Sequence, residues 1–172
     1  MRKLAILVAL AVALPAAANG PLRASLGGYQ EVPAVSTVAM GEFEARVSND
    51  EQSVDWVLAY DGLQADVQQA HIHVAQKSVN GSIVVWLCGT SGTLAGPPGT
   101  ATCPGRSGTV RGTFTSANVI NASIASQQIT AGELAEVIAA MRAGVAYANI
   151  HTTASPGGEI RGQISARGNS GR

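Results

Sequence analysis

Charge is scarce in this 172-residue chain: 13% of residues are charged, and 11 Lys and Arg are balanced by 11 Asp and Glu. So little basic charge argues against nucleic acid or an anionic membrane as a partner found through bulk electrostatics. Aromatic residues make up only 4%, and there are two cysteines and three histidines. Apolar content is nevertheless 46%, which with so low a charge is not the composition of a disordered chain. The length suits one domain with a real core.

Several chemical signatures are missing as well. No Gly-x-Ser-x-Gly elbow accompanies a histidine, so a hydrolase triad has no support. No phosphate-cradling glycine spacing occurs, and no Cys-x-x-Cys pair. Pairs such as Glu42 and Glu44 alternate along a strand and read as a solvated face. Asn80-Gly81-Ser82 and Asn121-Ala122-Ser123 match the glycosylation pattern, which matters only in a eukaryotic host.

What the chain does have begins at its N-terminus. Arg2 and Lys3 precede an apolar run from Leu4 to Leu14, followed by Pro15-Ala16-Ala17-Ala18. A charged start, an apolar middle and a small-residue cleavage site are the parts of a secretory signal. The run is shorter than the ~20 residues that cross a bilayer, and no other stretch approaches that length. Residues 1–18 are therefore expected to be removed, leaving a domain over 19–166 and a polar tail over 167–172. Without Arg2 and Lys3 the chain carries nine basic and 11 acidic residues and is slightly acidic. The expected location is periplasmic or secreted. There, Cys88 and Cys103, bracketing a loop rich in Gly, Ser, Thr and Pro, are most simply a disulfide.

Period-two alternation recurs along the rest. Gly41 to Val47, Val54 to Asp61, Ser82 to Leu87, Thr109 to Thr115, Val119 to Ile124, Val145 to Thr152 and Glu159 to Ala166 all read as strands. Gly, Pro and Asn punctuate them, pointing to an antiparallel Greek-key sandwich or barrel. Thr130 to Glu133 has capping-box spacing, and Leu134, Val137, Ile138 and Met141 recur at helical spacing before Gly144. One short helix is expected before the last hairpin.

Every histidine sits inside a strand. In Ala70-His71-Ile72-His73-Val74 the apolar residues share one face, so His71 and His73 project together from the other. In Tyr147-Ala148-Asn149-Ile150-His151, Tyr147, Asn149 and His151 likewise leave the face opposite Ala148 and Ile150. If the last two strands pair, His151 opposes Glu159 and Asn149 opposes Arg161, with Gln163 on the same stripe. Two readings stay open. One is a hydrogen-bonded polar network among these residues. The other is a copper or zinc site made by His71, His73 and His151, with Glu159 as an oxygen ligand or a support behind a ligand.

Three ordered motifs resemble a known family. Gly28-Tyr29-Gln30-Glu31-Val32-Pro33 is similar to the opening of CHRD domains, modules named after chordin. Gly62-Leu63, Ala70-His71-Ile72-His73 and Asn80-Gly81 resemble that family's middle segment. Gly144 to Thr152 with Pro156 to Ile164 resembles its close. The resemblance covers roughly residues 21 to 166. It implies a β-sandwich of immunoglobulin-like or copper/zinc-superoxide-dismutase-like type. The dismutase likeness is one of strand order only, and with no fourth histidine for a zinc, dismutase activity is not expected. The Cys88–Cys103 loop is an elaboration of this chain, and Ala75-Gln76-Lys77 replaces a glycine usual after the histidine motif. The leading expectation is an exported, non-enzymatic interaction or structural module with a protein or cell-surface partner. The alternative is an exported copper- or zinc-binding protein.

Overall fold

The computed structural model describes residues 20–166. The expected signal segment and the tail from Arg167 lie outside the described residues. Nine strands form one sheet: β1 (Leu22–Gly27), β2 (Met40–Val47), β3 (Val54–Asp61), β4 (Val67–Val74), β5 (Ser82–Gly89), β6 (Ala101–Thr102), β7 (Gly108–Phe114), β8 (Ala146–Thr152) and β9 (Ile160–Ile164). A single α-helix among the described residues, α1 (Leu134–Ala143), precedes the last hairpin.

The strand order is β6-β5-β4-β8-β9-β1-β2-β3-β7. All pairings are antiparallel except the short one between β5 and β6. The chain leaves the β1–β2–β3 meander to start β4 on the far side. It returns to place β7 beside β3, then crosses again to place β8 beside β4. These crossings give the expected Greek-key character. Val85 of β5 bridges Val119, just beyond β7, so the sheet curls until its two ends nearly meet.

Alternation decides which side chains enter the core. Phe43, Ala45, Trp56, Leu58, Ile72, Ala148, Ile150, Ile160 and Ile164 all point inward and are buried. The residues between them on β2 face water, where Arg23 and Arg46 both pair with Glu44. Burial of the inward set is the main driving force for the fold. Leu134, Val137, Ile138 and Met141 bury one side of α1. Gly144 ends that helix at φ 74°, a left-handed conformation that costs glycine little.

Three local expectations change. Val119 to Ile124 is not a strand. It meets β5 through an isolated bridge from Val119 to Val85 and through the Ile120 amide on the Val84 carbonyl. The Ala122 amide turns instead to the Ile129 carbonyl and the Ile124 amide to Ser82 Oγ, so no continuous ladder runs along it. The expected capping box does not cap the helix. The N-cap is Glu133, without a side-chain cap bond, and Glu133 Oε2 instead accepts from the Thr130 amide ahead of the helix, 2.7 Å away. Residues 22–27, not read as a strand, form β1 between β2 and β9. The disulfide joins Cys88 to Cys103 as expected.

Candidate metal centre

The ladder between β4 and β8 sets His71 opposite Asn149 and His73 opposite Tyr147, while Gln69 opposes His151. β9 then sets Arg161 opposite Asn149 and Gln163 opposite Tyr147. The expected stripe is therefore real, but it is not a solvent face. His71 is 0% exposed, His73 6% and His151 7%. The segment from Gly28 to Pro33 covers it: Arg161 Nε donates to the Gln30 carbonyl, Asn149 to Glu31, and Asn80 to the Val32 carbonyl. On the other side Trp86 of β5 sets its ring edge-on to His71, 4.3 Å between centroids. The disulfide-closed loop packs over Trp86, where a Cβ on Gly96 would come within 2.7 Å of the indole.

Inside this covered face the three histidines converge. Their rings lie 5.1 to 6.0 Å apart, and one ring nitrogen from each falls within 4.8 Å of the others. Two rings are held in a defined state. His73 Nδ1 is 3.0 Å from the Gly81 carbonyl oxygen, and His151 Nδ1 is 2.9 Å from that of Pro156. A carbonyl only accepts, so each Nδ1 carries the hydrogen and each Nε2 is left with its lone pair. Neither Nε2 has a hydrogen-bond partner, and neither nitrogen of His71 has one.

Electrostatics keep the rings neutral. Burial pulls His71 down to about 2, with His151 and His73 adding to the effect. Burial pulls His73 down to about 4; the Gly81 bond opposes this, and His151 and Arg161 reinforce it. His151 is also lowered by burial, against its bond to Pro156. Three neutral imidazoles with free lone pairs turned toward one another form a donor set for a transition-metal ion.

The supports are specific. Tyr147 stacks on His73 at 4.8 Å with the planes 4° apart, and its hydroxyl accepts from the Gly81 amide. Gly81 thus fixes both residues, and a Cβ there would lie 1.9 Å from the Val74 oxygen. Arg161 lies over the Tyr147 ring, 4.7 Å from guanidinium carbon to centroid. Its Nη1 donates to Asn80 Oδ1. Asn149 donates to Glu31 Oε1 at 2.6 Å and to the Ile160 carbonyl. Glu31 is pushed up to about 7 by burial, which outweighs Arg161 and the Asn149 bond. Gly158, at φ 125°, passes so close that a Cβ would meet both Glu31 and Asn149.

Glu159 is placed otherwise than as an oxygen ligand. It is fully buried, and its oxygens accept from Thr37 Oγ1, the Gln64 amide and Thr152 Oγ1 at 2.8 to 2.9 Å. It anchors the turn whose Pro156 carbonyl holds His151. Gln163 donates to the Ala75 and Gly144 carbonyls, tying β4 to the end of α1. Both earlier readings thus find residues: Asn149, Arg161, Glu159 and Gln163 form polar networks, but the three histidines do not satisfy one another. Strand parity located the histidines. The supporting roles of Trp86, Gly81, Pro156 and Glu31 have no local periodicity to mark them, although Glu31, Gly81 and Pro156 lie in the motifs that resemble the family.

Neither the comparison with curated proteins nor that with solved structures found a match. The comparison with known protein families matches residues 22–164 to the CHRD domain, which spans all nine strands and the three histidines. The chain belongs to the CHRD domain family.

Proposed function

We propose that this CHRD-domain protein is an exported metal-binding protein that holds one copper or zinc ion with His71, His73 and His151. The observation that carries this reading is the set of unpartnered ring nitrogens: Nε2 of all three residues and Nδ1 of His71. A buried polar group without a partner costs about 1–3 kcal/mol. Four such atoms together approach the ~5–15 kcal/mol net stability of a typical domain. A bound ion gives the facing lone pairs a partner and removes most of that cost.

The disulfide and the family fit an extracellular-type protein, and the N-terminal segment read as a signal supplies the route. In this reading the chain holds metal and turns over no substrate. A role as an interaction module is compatible with it, but rests on family membership alone.

The test is metal analysis of untagged protein, followed by Cu(II) and Zn(II) titrations. One ion per chain is expected, bound tighter than micromolar and lost in His71→Ala. Weaker binding, or binding unchanged by His71→Ala, contradicts the proposal.

A further inference from the structure

Resting on that reading, we propose that the site selects monovalent Cu(I) over divalent Zn(II). Imidazole accepts either metal, so donor softness does not decide between them. Charge and donor count do.

The three donors are neutral, and the cluster contains no carboxylate or thiolate. The nearby anionic candidates are engaged elsewhere. Both cysteines are in the disulfide, and Glu159 is held by three donors. Glu31 takes the Asn149 amide and lies 3.8 Å from Arg161 Nε. An ion at this site therefore keeps its full charge. Transferring an ion from water to a buried site costs free energy that rises with the square of its charge. A divalent ion bears four times the penalty of a monovalent one.

Arg161 acts in the same direction. It is buried, and Tyr147 has this guanidinium 4.7 Å from its ring centroid and the His73 ring 4.8 Å from it. A fixed positive charge thus sits one aromatic ring away from a ligand, and its repulsion is twice as large for a divalent ion. The donor count agrees. Zn(II) in proteins is almost always four-coordinate and would need a fourth ligand drawn into a buried site. Cu(I), a d10 ion, is stable with three nitrogen donors.

The test is a pair of anaerobic competition titrations on the untagged wild-type protein, one with a chromophoric Cu(I) chelator and one with a chromophoric Zn(II) chelator. Trp86, 4.3 Å from His71, provides an independent fluorescence readout. The Cu(I) dissociation constant is expected to be smaller than that of Zn(II) by at least about tenfold. His71→Leu, assayed in parallel and checked for folding by circular dichroism, is expected to lose Cu(I) binding. A smaller ratio, or a reversed one, overturns the selectivity and leaves the metal site standing. Retention of neither ion overturns the selectivity and the metal site together.

Discussion

His73 Nδ1 lies 3.0 Å from the carbonyl oxygen of Gly81, and that one bond decides which nitrogen of the ring is free. The same glycine donates its amide to Tyr147, the residue stacked on His73. Ring orientation, tautomer and stacking partner thus depend on a position where a Cβ would collide with the Val74 backbone. Gly81→Ala is therefore expected to weaken metal binding at least about tenfold, the usual effect of disturbing a residue that orients a ligand histidine. Metal titration checks this, and wild-type affinity in the variant would contradict it.

His71 makes the sharpest distinction between a binding role and a structural one. Both of its ring nitrogens are buried and unpartnered. Replacing such a group by an apolar side chain of similar size removes a desolvation cost. His71→Leu should then leave the metal-free protein at least as stable as wild type, and up to about 2 kcal/mol more so, while abolishing metal binding. Chemical denaturation without metal measures it. A histidine whose job is structural would instead show a clear loss.

The pH dependence follows from the direction of the shifts. His73 is held down to about 4 and His71 to about 2, against 6.5 for the free side chain. The unfolded chain takes up protons that the folded chain refuses, so acidification below about pH 6.5 favours unfolding. Each ring contributes up to about 1.4 kcal/mol per pH unit. Glu31, pushed up to about 7 from 4.5, acts oppositely: its contribution is present in acid and is lost as the pH rises towards 7. Between pH 4.5 and 6.5 the three histidines outweigh the single carboxyl. Thermal melts of the metal-free protein should show the midpoint falling from pH 6.5 to pH 5; a flat or rising midpoint contradicts these assignments.

Glu159 is a fully buried carboxyl without a salt-bridge partner among the described residues, held by two hydroxyls and an amide. Glu159→Ala strands three donors and is expected to cost about 3 kcal/mol or more. Glu159→Gln keeps the volume and should cost less. Equilibrium denaturation compares the two, and a loss within error for Glu159→Ala would show that those donors find water instead.

Strand parity was enough to put His71, His73 and His151 on one face and to place Asn149 opposite Arg161, because a period of two leaves little choice once Ala70, Ile72, Ala148 and Ile150 are assigned to the core. Parity could not tell that this second face is also buried. That depends on Gly28 to Pro33 and the disulfide-closed loop folding over it, long-range contacts with no local periodicity. The same limit applies to Trp86, whose place against His71 comes from the β4–β5 pairing. Leu22, Ala24 and Leu26 do alternate, and β1 was legible there. Val119 to Ile124 misled because its backbone amides go to separate partners, Ile120 to Val84, Ala122 to Ile129 and Ile124 to Ser82 Oγ, which local alternation does not reveal.

The central claim is that three imidazoles, and no carboxylate, hold one ion in the covered face of β4 and β8. X-ray absorption spectroscopy of untagged protein loaded with one equivalent of Zn(II) or copper tests it most directly. The account predicts three imidazole nitrogens at about 2.0 Å, with their outer-shell ring scattering, for the bound metal. A first shell dominated by oxygen, or one imidazole at most, would contradict it.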